Sequence, residues 1–300
     1  LSLWGAVAGI LLLLNFHTVQ FGEYEDEAGL KDLIEIVLGR SNIVASILLL
    51  LIPLAVAAVS LHRGITRWVC AGCAMLMLAG LIATMSRGAM LAMVLAASLS
   101  LPLMYRAGLQ IKHTLPGLGL LALVLLLLPA DLLQADGVLI ADRFENPDQS
   151  RPELMQGAWD SFKDNPVLGV GPGQLGKAIA LHMTVPDYNS QYMNAHNLLL
   201  DALAENGLAA GVALLAMVGI VLYRAFLIAV FRPTPLNVAL WVALLAAVVH
   251  NMMEASFEEQ QFQIVFWTVA AMVEIRYTQL RASIKPRRTR YELIQNQQPV

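Results

Sequence analysis

The stretch "SNIVASILLLLIPLA", residues 41–55, decides the fold class. It carries no charge, and the apolar run goes on to Leu61. A helix needs about 20 such residues to cross the hydrocarbon core of a bilayer. Reading outward from this run at 43–61, similar blocks recur at about 1–17, 67–85, 89–105, 115–133, 207–230, 237–256 and 262–280. Of 300 residues, 58% are hydrophobic and 14% charged, against roughly half and a quarter in soluble domains. The expectation is an all-α, polytopic helical membrane protein with about eight transmembrane helices, forming one integral membrane domain over residues 1–300. No basic segment precedes the first run, so a signal peptide is not expected. Cys70 and Cys73 form a C-x-x-C inside the apolar "WVCAGCAMLMLAGL". Two ligands do not make a zinc site, so both read as core residues.

Charge orients the spans. The tail "RASIKPRRTR" (281–290) is basic, and so are "HRGITR" (62–67), "YRAGLQIKH" (105–113) and "YRAFLIAVFRP" (223–233). Cationic connections stay on the cytoplasmic side. The opposite face then receives 21–40, where Glu23, Glu25, Asp26, Glu27, Asp32 and Glu35 oppose Lys31 and Arg40, together with "SRG" (86–88), 134–206 and "EASFEEQQ" (254–261). Residues 134–206 thus read as one large periplasmic loop containing short amphipathic helices. In "SRPELMQGAWDSFKDNP" (150–166), Ser150 and Glu153 have capping-box spacing and Pro152 suits a first turn. Leu154, Met155, Ala158, Trp159 and Phe162 share a face suited to the outer bilayer interface. A second loop helix opens at His196-Asn197 and either stops or bends at Gly207.

Few polar groups on this outer side suit chemistry. Arg87 sits in a very short outer connection, against the positive-inside bias, and reads as a headgroup anchor or an anion ligand. Arg151 lies in the first turn of a helix, where the dipole favours an acid. A guanidinium at that place suits bidentate phosphate binding. Arg143 is a loop cation, an ion-pair partner or a contributor to the same site. His196, beside Asn197, has the pKa range of a general base. His250 and Glu254, at i and i+4 near the end of the seventh span, form a second candidate pair, for function or for helix–helix hydrogen bonding. The glycines of "NPVLGVGPGQLG" (165–176) can cradle a phosphate or make a turn, and the lack of P-loop spacing favours a turn. No metal-ligand spacing is evident, and no metal, other cofactor or nucleic acid is expected.

Four motifs occur in order: "SRG" opening a span, "SR" with a Trp eight residues on (Arg151, Trp159), "NPVLGVGPGQL", and "AHNLLLDALAENGLAAG" (195–211). Together with "SNIVASILLLLIPLA" they resemble the O-antigen ligase and O-antigen polymerase superfamily of bacterial membrane glycosyltransferases, over about residues 35–260. The resemblance implies a GT-C-like helical fold in the bacterial inner membrane and further amino-terminal spans before residue 1. It implies metal-independent transfer of a glycan from a polyprenyl-diphosphate carrier to an acceptor hydroxyl at the periplasmic face. Arg87, Arg151 and His196 match the family's functional arginines and histidine, with Asn197, Arg143, His250 and Glu254 as candidate substrate contacts. The acceptor is lipid A-core for a ligase, or a growing O-antigen or exopolysaccharide glycan for a polymerase. From another class, a transporter of lipid-linked glycan or small anions would put its binding groups near the bilayer midplane on internal repeats, whereas these candidates gather at one rim.

Overall fold

A computed structural model describes residues 5–11, 35–36, 39–84, 86–109, 150–183 and 194–284. Residues 5–11 are helical, and a short antiparallel ribbon pairs β1 (Glu35–Ile36) with β2 (Gly39–Arg40). The helices that follow are α1 (Ser41–Leu61), α2 (Gly64–Ala83), α3 (Arg87–Leu99), α4 (Leu101–Arg106), α5 (Ser150–Asp164), α6 (Leu175–His182), α7 (Leu198–Phe231), α8 (Pro235–Asn251) and α9 (Gln260–Ile284).

The opening stretch becomes the axis of the bundle. Every side chain from Ile43 to Ala55 is buried, and α1 packs on α2, α3, α8 and α9. A helix apolar on all sides is stable only when enclosed in this way. Pro53 lies within it, which neighbouring helices make tolerable in a membrane bundle. The helix at 5–11 crosses α2 almost backbone to backbone: a Cβ on Gly80 would stand 2.8 Å from the Gly9 Cα. Small residues at such crossings are the usual packing device of membrane helices. The perimeter is also apolar. Leu208, Val212, Leu215, Tyr223 and Phe226 form an exposed stripe along α7, a costly surface in water and a natural one against lipid. By length and composition α1, α2 and α7 can each cross a membrane, while α3 and α8 are shorter apolar helices.

Several boundaries differ from expectation. The span expected at 89–105 is interrupted at Ser100, where α4 starts with Pro102 in its first turn; proline has no N–H to continue the ladder. The span expected at 207–230 starts earlier, at Leu198, and bends at Gly207 (φ 78°, ψ −177°). The span expected at 237–256 stops at Asn251. There the Asn251 amide donates to the Ala247 carbonyl (2.8 Å) and accepts from the Phe257 N–H (3.2 Å), folding residues 252–256 back over the helix end. Glu254 is therefore on a loop, not one helical turn beyond His250. On α5, Leu154 and Ala158 are buried against Leu175, Ile179, Ala195 and Ala204, whereas Met155 and Trp159 are exposed. The expected single apolar face is split between a small protein core and the outside. The expected span at 115–133 lies outside the described residues.

Chain direction sorts the bundle into two ends. The starts of α1, α3 and α7, the loop after α8 and the start of α9 share one end; Leu61–Gly64, Arg106 and Phe231–Pro235 share the other. Arg63, Arg67, Arg106 and Arg232 lie at or beside the second end. The first gathers Glu254, Glu258, Asp201 and Glu205 with Arg87, Arg151 and both candidate histidines.

Candidate active site

The turn before α7 is built to hold one imidazole. His196 has φ 49°, alone among described non-glycine residues in being positive. This region costs about 1 kcal/mol or more and persists where neighbours enforce it. Three contacts do so. Asn194 Oδ1 accepts the His196 N–H (3.1 Å), Asp201 Oδ1 accepts the Ala195 N–H (2.7 Å), and Asn197 Oδ1 caps α7 by accepting the Leu200 N–H (3.0 Å). The Asn197 amide also donates to the Met252 carbonyl (2.9 Å), tying the turn to the loop after α8.

That loop delivers Glu254, the centre of the cluster. Its Oε1 lies 2.8 Å from His196 Nδ1, and its Oε2 accepts from Arg151 (3.4 Å) and from the Asn42 amide at the start of α1. Arg151 also donates to the Met253 carbonyl (2.8 Å). Four segments far apart in sequence thus meet on one carboxylate. Burial pushes the Glu254 pKa up, but the His196 hydrogen bond and the charges of His196, Arg151 and His250 outweigh it, holding the group down at about 2. Glu254 is an ionised carboxylate at neutral pH. A carboxylate only accepts hydrogen bonds, so Nδ1 carries the shared hydrogen, and in the neutral imidazole Nε2 is the nitrogen with the lone pair. This is the arrangement by which a buried acid orients a general-base histidine.

The glycine-rich segment is structural. Gly169, Gly171 and Gly173 all have positive φ. The Val170 and Gly171 N–H groups bond the Ala204 and Glu205 carbonyls (both 2.9 Å), and the Gly173 N–H donates to the Glu205 carboxylate. Leu208 N–H returns to the Pro166 carbonyl (2.9 Å). A Cβ on Gly169 would collide with the Glu205 backbone, and one on Gly207 with that of Val167. These amides lock the bend of α7 and are not a phosphate cradle.

Arg87 starts α3 at the same end of the bundle. Its neighbour Gly88 packs on the buried His250 ring, with a Cβ there standing 3.3 Å from Nδ1. The contacts run from Gly88 to His250, and His250 in turn lowers the Glu254 pKa. Arg151, His196, Asn197 and Glu254 therefore form one contact network, with His250 beside it and Arg87 next to the glycine that touches His250. Arg143 lies outside the described residues. Sequence reading did not find Asn42 and Asn194, because each is an ordinary amide until distant segments meet. Their only signal is polarity at a span edge. Cys70 and Cys73 are free thiols in α2: Cys73 is buried in the core as expected, and Cys70 is half-buried.

No curated protein matches the chain. Residues 72–215 match the family model described as O-Antigen ligase, a stretch that includes Arg87, Arg151 and His196 and ends before His250 and Glu254. This match, and the helical bundle whose long apolar helices suit a membrane, support membership of the O-antigen ligase superfamily of glycosyltransferase-like membrane enzymes.

Proposed function

We propose that the protein attaches a glycan carried on polyprenyl diphosphate to a hydroxyl of lipid A-core, without a metal, at the periplasmic face of the bacterial inner membrane. In this reading about eight spans carry the bundle and residues 134–206 form the outer loop. The observation that carries it is the Glu254 carboxylate shared by His196 and Arg151 (2.8 and 3.4 Å).

The acceptor hydroxyl attacks the anomeric carbon, and its proton passes to His196 Nε2. The bond from that carbon to the diphosphate oxygen breaks, and the polyprenyl diphosphate leaves with the electron pair. Negative charge grows on the leaving group, so fixed guanidinium donors stabilise the transition state more than the ground state. Arg151, anchored on Met253 and Glu254, brings a planar guanidinium to the diphosphate. Arg87 supplies the second cation. Glu254 is a positioning residue: it holds the tautomer of His196 and the plane of Arg151. Polymerisation of the same kind of donor would use the same chemistry on another acceptor. Lipopolysaccharide gels of a deletion strain decide between them. Loss of a ligase leaves unattached polymer, loss of a polymerase leaves single-repeat glycans, and an unchanged profile contradicts both. Turnover in EDTA tests metal independence; activity lost there and restored by Mg²⁺ would contradict it.

A further inference from the structure

Beside the His196 turn lies a cavity of about 360 Å³ between α7, the loop after α8 and α9. Asp201, Glu205 and Glu258 line it together with Gln263 and Trp267. Asp201 is 5% exposed, and its Oδ2 has no hydrogen-bond partner among the described residues. A buried acceptor without a donor is costly, and Asp201 is among the residues that line the cavity. Among the described residues no three acidic, His or Cys groups gather as a metal would require. The carboxylates instead present separate acceptors along a wall that also holds an amide and an indole. That is the chemistry of a site for a ring with several hydroxyls: acceptors for the O–H groups and an aromatic surface for the C–H face.

The cavity is joined to the catalytic turn. Asp201 accepts the Ala195 N–H (2.7 Å), and Asn194, which holds the His196 N–H, donates to Glu258 (3.3 Å). Arg151 belongs to the Glu254 cluster and Arg87 stands next to the glycine that touches His250, whereas the cavity wall is acidic. Glu258, exposed to solvent, shares one wall with Asp201 and Glu205, so further negative charge there is unfavourable. A diphosphate is repelled from this side of the turn, and an uncharged or amino sugar is accepted. Leu214 and Met217 continue the wall along α7 past its bend, giving an apolar flank for a lipid-anchored molecule.

The geometry points to this cavity as the acceptor-saccharide subsite, selective for a sugar ring that is neutral or cationic and bears no phosphate or uronate. The inference rests on the glycosyl-transfer reading, but its test does not need turnover. Saturation-transfer NMR on the purified full chain would compare N,N′,N″-triacetylchitotriose, its de-N-acetylated amine form and trigalacturonate. The neutral and amine probes are expected to bind, with trigalacturonate at least about tenfold weaker because like charges oppose in a confined site. Glu258→Gln should narrow that difference, and Trp267→Ala should weaken all probes. Binding should persist in His196→Ala and in the presence of sugar-free polyprenyl diphosphate. Failure of both favoured probes to bind, equal binding of the uronate, or indifference to both Glu258→Gln and Trp267→Ala would overturn the subsite. Displacement by polyprenyl diphosphate would overturn its assignment to the acceptor. Near-normal turnover of His196→Ala with saccharide binding intact would count against the catalytic reading alone.

Discussion

Two ion pairs stand at opposite ends of this bundle, and they do different work. Near the basic end, Arg224 of α7 meets Glu274 of α9 at 2.6 Å, with Tyr277 under the guanidinium at 5.2 Å. Both side chains are more than a third exposed (35% and 42%). At the other end the Glu254 side chain is 11% exposed and is shared by Asn42, Arg151 and His196. The first pair joins two neighbouring helices and has water or lipid as an alternative partner. The second is the meeting point of α1, α5, the turn before α7 and the loop after α8. Charge complementarity is common to both. Convergence and burial distinguish the candidate site, because a buried carboxylate must be surrounded by donors and thereby fixes where they stand.

The largest effect should come from Glu254→Gln, which keeps the shape but turns an N–H₂ toward groups that are themselves donors. His196 loses its enforced tautomer, and turnover should fall on the order of 10²–10⁴-fold with the protein still folded. The same variant tests a pH dependence. Because the folded-state pKa of Glu254 is depressed to about 2, its contribution to stability is present above the ordinary value near 4.5 and is lost as pH falls toward 2. Acid titration of thermal stability should be flatter below pH 4.5 in Glu254→Gln than in the parent. An equal acid slope would show that Glu254 is not held by its partners.

Arg151→Lys comes next. It keeps the charge but loses the planar fork that spans Met253, Glu254 and a phosphate. Removal of one preorganised donor typically costs about 10²–10³-fold in turnover, and normal turnover in this variant would remove Arg151 from the site. Gly207→Ala should act on folding, since its Cβ would strike the Val167 backbone and φ 78° disfavours a side chain. A fall in melting temperature is expected with lower yield, and an unchanged melting temperature would mean that the bend is not fixed by this contact. The smallest effect belongs to the comparison pair. Arg224→Ala should leave the melting temperature close to that of the parent, because exposed pairs contribute little, with turnover near that of the parent.

Most of the bundle was legible in the sequence because apolar length is a local property. The runs at 43–61 and 67–85 became α1 and α2 with shifts of a few residues. What failed was local chemistry overridden by a contact: α8 stops at Asn251 because that amide is used by Phe257, six residues on, and no hydropathy window records it. Arg151 and His196 were legible as polar exceptions at helix starts. Their shared partner was visible only as one end of an i, i+4 pair with His250. The link from Asn42 to Glu254 spans 212 residues, and neither residue type announces the other. The glycine segment could be read as a turn, but its role as a clamp on Gly207 depends on a backbone approach that only the fold supplies.

The central claim is that His196, held by Glu254 in the orientation described, takes the proton of the acceptor hydroxyl. It is tested most directly by His196→Ala in purified protein, measuring single-turnover glycan transfer and donor binding on the same preparation. The account predicts transfer reduced on the order of 10²–10⁴-fold with binding of the polyprenyl-diphosphate donor within a fewfold of the parent. Near-normal transfer by that variant would contradict it and would turn attention to His250 as the base.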